Sequence, residues 1–107
     1  MRRDSRKYLR DIDQAAQWVG EFLAGRTFDD YATTPMLRSA VERQCEIVGE
    51  ALAQLAKSDI GTAEQVSEYR RIIAFRNILI HGYAEVDHRI VWEVASLKIP
   101  VLAAQAE

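Results

Sequence analysis

Cysteine is nearly absent from this 107-residue chain, with Cys45 the single example. That excludes an internal disulfide framework and a thiolate metal cluster, and it fits a reducing cytoplasm. There are two prolines and five glycines, with no Gly-rich phosphate loop, internal repeat or low-complexity tract. No stretch alternates with the period of a β-strand. No apolar run approaches the roughly 18 residues that a membrane crossing needs. Gln14, Gln17 and Glu21 interrupt the stretch that would have to follow the basic N-terminus in a secretory signal, so a cytoplasmic location is expected. Only two histidines occur, His81 and His88, and neither has a Cys, Asp or Glu at metal-ligand spacing. No metal and no cofactor is expected.

What is present is apolar, helical and charged in blocks. Apolar residues make up 49% and charged residues 28% of the chain, the balance of a folded domain. The length suits one domain over residues 1–107. Net charge is -2, which argues against a uniformly basic nucleic-acid coat. The charge is uneven, however. Arg2, Arg3, Arg6, Lys7 and Arg10 face Asp4 alone in the first ten residues, whereas residues 11–35 set five acids against Arg26. The N-terminal cations recur at helical spacing and read first as a solvated stripe.

Periodicity divides the chain into four long helices with short connections, an all-α up-and-down bundle with short helical turns. Tyr8, Leu9, Ile12, Ala15, Ala16, Val19, Phe22 and Leu23 form the first apolar face, with Gly25 as its stop. Thr34-Pro35 predicts the N-cap and first position of a second helix, whose apolar face includes Leu37, Val41, Cys45, Val48, Leu52 and Leu55. Cys45 falls inside that series and reads as a small core residue. Thr62 and Gln65 predict a capping box opening a third helix, which ends at Gly82 as a left-handed terminator. Asp87 predicts the cap of a fourth, kinked or restarted by Pro100.

The densest chemistry lies at the end of the third helix, in Arg76-Asn77-Ile78-Leu79-Ile80-His81-Gly82-Tyr83. Asn77 and His81 are four apart, about 40° around the axis, so the amide can orient the imidazole. Arg76 and His81 are five apart, about 140° around an ideal helix, and do not converge on one atom. Either the helix unwinds at Gly82, or the pair faces a second copy of itself across a twofold axis. The second arrangement offers two His and two Arg in one groove. Metal-free RNA cleavage needs such a set: a base for the 2'-hydroxyl, an acid for the leaving 5'-oxygen, and cations on the phosphorane. Taken singly, Arg76 reads as a surface ion-pair donor, His81 as a helix C-cap and Tyr83 as a half-buried aromatic.

Together the residues R-x4-H-x-Y, in "FRNILIHGY", resemble the signature of HEPN-domain ribonucleases, and more narrowly the HepT-like toxins once grouped as DUF86. "YLRDI", "VERQCEIVGEAL" and "IVWEV" sit where HepT-like chains carry similar segments, so the resemblance spans nearly the whole chain. One departure is that "SEYRRIIAF" lacks the Pro or Trp often found before the motif. The resemblance implies a HEPN-like helical homodimer, or a higher oligomer, that cleaves RNA without metal. It also implies a partner, a minimal nucleotidyltransferase antitoxin that adenylylates the motif Tyr. Carried onto this chain, Arg76 and His81 become catalytic, Asn77 the supporting polar residue, and Tyr83 the modification site. The alternative is a non-catalytic HEPN module that binds a nucleotidyltransferase and presents substrate or nucleotide to it. A third reading is a bundle that only oligomerises.

Overall fold

Helix-period patterning and frequent good helix formers leave little else for this chain to become. The computed structural model describes residues 3–82 and 86–106. Its elements are α1 (Arg3–Leu23), α2 (Phe28–Thr33), α3 (Pro35–Ser58), α4 (Ile60–Ala63), α5 (Tyr69–His81), α6 (His88–Glu93), a π-helical segment (Val94–Lys98) and α7 (Ile99–Ala106). No strand occurs among the described residues, and the protein is all-α. α6, the π segment and α7 run on as one rod, so four long helices with two short helical turns account for the architecture.

α3 is the central element, packed on α1 along one side and on α5 along the other, while α7 closes against α1. Two polar contacts fix directions. Ser5 Oγ, at the start of α1, donates to Asp59 Oδ2 just beyond the end of α3 at 2.7 Å, so the two helices run antiparallel. Ser67 N–H donates to Gln105 Oε1 at 2.9 Å, bringing the entry to α5 against the end of α7.

The apolar faces meet as their spacing predicts. Ile12, Val19, Val41, Val48, Leu52, Leu55, Val91, Ile99 and Leu102 are all buried. Cys45 joins them, and desolvation, followed by the charges of Glu42 and Glu46, pushes its thiol up to about 12. It is a core residue, unsuited to nucleophilic work.

Helix ends depart from expectation at the capping box and at Gly82. The capping box belongs to α2: Thr27 Oγ1 accepts from Asp30 N–H at 3.1 Å, and Asp30 Oδ2 accepts from Thr27 N–H at 2.9 Å. Thr62 instead lies inside α4, where Asp59 is the cap and accepts from both the Thr62 amide and its hydroxyl. The third long helix therefore starts only at Tyr69, after Glu68 turns the chain with a left-handed φ of 58°. Thr34 stands at the N-cap of α3, with Pro35 following it, but its side chain makes no capping hydrogen bond.

Gly82 likewise differs, with φ -106°, outside the left-handed region. It is needed for closeness instead: a Cβ there would lie 2.8 Å from the Ile78 carbonyl oxygen. Pro100 stands where the last helix restarts, as the second residue of α7 directly after the π segment. The π segment just before it absorbs the missing N–H, and Ile99 N–H reaches back five residues to the Val94 carbonyl. Asp87 caps α6 as expected, its Oδ1 accepting from Arg89 N–H at 2.8 Å.

Candidate functional site

The candidate residues lie on the last two turns of α5. Ile72, Phe75 and Leu79 are buried and pin one face of this helix to the core. That packing rotates Asn77, Ile78, Ile80 and His81 outward, all exposed, and leaves Arg76 half-buried at the edge facing α3.

Arg76 is held from three directions. Its stem lies against Gly49 of α3, where a Cβ on residue 49 would stand 2.2 Å from Arg76 Cβ and 2.8 Å from its Cγ. The two helices approach this closely only because position 49 has no side chain. The Arg76 Nη2 group donates to Glu50 Oε2 across the helix interface. Nη1 donates to the Asn77 amide oxygen at 2.7 Å. The buried Nε–H has no hydrogen-bond partner.

The structure therefore brings Arg76 and Asn77 together but does not aim Asn77 at His81. Among the described residues, no hydrogen bond joins His81 to Asn77 or to Arg76. His81 is the last residue of α5, still helical, with the Gly82 amide donating to the Ile78 carbonyl at 2.7 Å just beyond it. Unwinding does not reach the imidazole. Arg76 and His81 consequently keep their separation of about 140° around the helix. Tyr83 lies outside the described residues.

Gly49 and Glu50 were missed as site residues. Both sit in "VERQCEIVGEAL", and the signal that finds Gly49 is a glycine in the buried part of an otherwise well-formed helix, where it costs roughly 0.5–1 kcal/mol relative to Ala. A cleft of about 270 Å³ opens beside Glu50 between α1 and α3, with Lys7, Tyr8, Arg43 and Gln54 among its walls. One member of the N-terminal basic stripe thus shares a cleft with the partner of Arg76. A larger recess, about 520 Å³, lies around Glu64 to Arg71 at the opposite end of α5 from His81.

His88 belongs elsewhere. It opens α6 with its ring edge-on to buried Tyr31, centroids 6.5 Å apart, in the packing of α2 against α6. Among the described residues, no group of three or more His, Cys, Asp or Glu could hold a metal ion. No helix among them is long and apolar enough to cross a membrane.

A family model described as "Ribonuclease HepT-like" matches residues 12–107, which include the whole of α3 and α5. The chain belongs to the HepT-like ribonuclease family. It is 35% identical over 102 residues to the protein named "Putative RNase TTE0752" of Caldanaerobacter subterraneus subsp. tengcongensis, covering 95% of this chain and 90% of that one. It is 32% identical over 107 residues to "Probable ribonuclease HepT" of Thermococcus cleftensis, covering 100% of this chain and 96% of the relative. No solved structure matches it.

The close approach at Gly49 makes a direct prediction. Gly49→Ala must push α5 away from α3, since the clash is with the root of the Arg76 side chain and not its flexible tip. Overpacking of this kind costs about 1–3 kcal/mol, offset in part by better helix propensity. Urea denaturation of the variant should show a lowered midpoint with an unchanged slope.

Proposed function

We propose that this HepT-like chain is a ribonuclease that cleaves RNA without metal at a site built from Arg76 and His81 of two subunits. The observation that carries the reading is the state of these two side chains. Arg76 is clamped at the edge of the bundle, and His81 stands free and exposed five residues later on the same helix.

One chain supplies one suitable imidazole, and the helix holds it away from its own Arg76. General acid–base cleavage needs two proton-transfer groups. A twofold dimer brings a second His81 and a second Arg76 to the same groove. The surface around His81 suits such a contact, because Ile78 and Ile80, at 57% and 38% exposed, place apolar area beside it.

In the reaction, one His81 removes the 2'-hydroxyl proton, and the oxygen attacks the adjacent phosphorus. The other protonates the departing 5'-oxygen, leaving a 2',3'-cyclic phosphate and a 5'-hydroxyl. Arg76 donates to the phosphorane oxygens as their negative charge grows. Lys7, which lines the cleft beside Glu50, would exchange Asp11 for the RNA backbone in this reading.

Regulation follows the family pattern in this reading. The chain is the toxin of a toxin–antitoxin pair, and a minimal nucleotidyltransferase antitoxin transfers AMP from ATP to the Tyr83 oxygen, with release of pyrophosphate and of the phenol proton. Two residues from His81 in sequence, the added bulk and phosphate charge would block the groove and compete with RNA for Arg76.

Cleavage of labelled RNA should proceed in excess EDTA and leave cyclic phosphate ends, and His81→Ala should slow it by about 10²- to 10⁴-fold while the fold persists. Full activity of that variant would overturn the assignment. If EDTA abolishes cleavage, the metal-free mechanism is wrong. If the wild type cleaves no RNA at all, the non-catalytic module becomes the better reading. For the dimer, Ile78→Asp should give a folded monomer by light scattering that has lost cleavage activity. Incubation with the nucleotidyltransferase and ATP should add AMP to the wild type by intact mass and not to Tyr83→Phe.

A further inference from the structure

Glu50 has no part in the scheme above, yet it is the residue that reaches across from α3 to the guanidinium of Arg76. We infer that Glu50 is the positioning residue of this active site, fixing the plane of the Arg76 guanidinium and neutralising its charge until the phosphorane forms. The inference rests on the catalytic reading of Arg76 and deepens it.

The argument starts from what an arginine can do when held. A guanidinium carries five N–H donors in a rigid fork. In this protein one Nη2 hydrogen goes to Glu50 and one Nη1 hydrogen to Asn77. Two anchors on different nitrogens define a plane, and Gly49 fixes the root of the side chain beneath it. Three donors remain: the Nε–H is buried against the bundle, and one unpaired hydrogen each on Nη1 and Nη2 is left for substrate. The fork is thus oriented without being used up.

Charge supports the same role. A bare cation in the groove would bind ground-state phosphate strongly and gain little more as the reaction proceeds. Paired with Glu50, the group has weak pull on a singly charged phosphodiester, while the phosphorane, with its additional charge, draws on the free donors. Only that differential raises the rate of the chemical step. Position matters as much as charge, because a misplacement of about 1 Å in such a group can cost about 100-fold.

The pair is not simply a strut for the fold. Glu50 is 46% exposed on its side chain, and an ion pair at such a surface adds about 1 kcal/mol or less to stability. Asp11 and Lys7, which share the cleft with Glu50, pair with each other at 3.4 Å, and Glu50 takes Arg76 on Oε2 and Gln54 Nε2 on Oε1, the latter at 3.1 Å.

The test is steady-state RNA cleavage by the full chain for wild type, Glu50→Ala, Glu50→Gln, Arg76→Ala and the double variant Glu50→Ala/Arg76→Ala, with melting curves on all five. Glu50→Ala should lower kcat on the order of 100-fold without raising KM. Glu50→Gln keeps an oxygen acceptor at the same reach but not the negative charge, and should recover part of that loss while lowering KM. In the Arg76→Ala background, removing Glu50 should cost little more, because its effect passes through the arginine. A Glu50→Ala protein with wild-type kcat, or a faster one, overturns the positioning role while inactive Arg76→Ala leaves the catalytic reading standing. Equal loss in the Ala and Gln variants overturns it as well. If Arg76→Ala itself cleaves normally, the catalytic reading fails and the role of Glu50 falls with it. Should Glu50→Ala fail to fold, the Gln variant and the shift of its kcat against KM decide alone: a raised KM at unchanged kcat overturns positioning.

Discussion

The closeness of α3 and α5 at Gly49 is the constraint on which the site depends. The Arg76 stem occupies the space where any larger residue at 49 would put its Cβ. Helices held farther apart would leave Arg76 on a longer lever, free to sample solvent. At this distance its guanidinium falls within reach of the next residue of α3, Glu50. One missing methyl group therefore sets the height of α5, the lie of Arg76 and the identity of its partner. The buried residues Ile72, Phe75 and Leu79 then set the rotation of the same helix, which turns His81 outward.

That arrangement divides labour along one helix. Arg76 is half-buried and tied to two neighbours, whereas His81 is exposed at the helix end. A group that stabilises charge gains from being fixed, because its dipoles need no reorganisation as the charge appears. In the proposed mechanism the group that passes protons must meet substrate and a second copy, and the end of α5 leaves His81 accessible. In the same scheme, the separation that keeps the two from converging within one chain is what makes a second subunit chemically useful.

Much of this was legible in the amino-acid sequence, and the reasons differ by level. The four long helices follow from apolar spacing, since burial of a 3.6-residue stripe outweighs any local preference; Leu37 through Leu55 all land in the core. Asp87 was legible as a cap because a carboxylate beside open amides has few competitors. Thr62 misled because Asp59, three residues earlier, takes the Thr62 amide and hydroxyl itself, a choice between two nearby caps that spacing does not resolve. Pro100 was legible as a restart because its missing N–H must be accommodated, here by the wider turn of the π segment before α7. At the site, Arg76, Asn77 and His81 were visible as a pattern within eight residues. Glu50 was not, since it lies 26 residues from Arg76 and becomes its partner only through the packing of two helices.

The same contrast bears on where charge sits in this protein. A net charge of -2 argues against nucleic acid only if charge is spread evenly, and here it is not. Lys7 and Asp11 form one pair, Arg43 and Glu46 another, and Arg76 and Glu50 a third, so much of the cation content around the α1–α3 cleft is locally neutralised. Such a surface has little long-range pull on polyanions in general. What it retains is short-range: hydrogen-bond donors that are oriented, partly desolvated and still unspent. RNA binding by this chain should then depend less on bulk attraction than on fit at the groove. In the proposed mechanism, with Arg76 already paired, discrimination moves from binding the strand to stabilising the one phosphate that reacts.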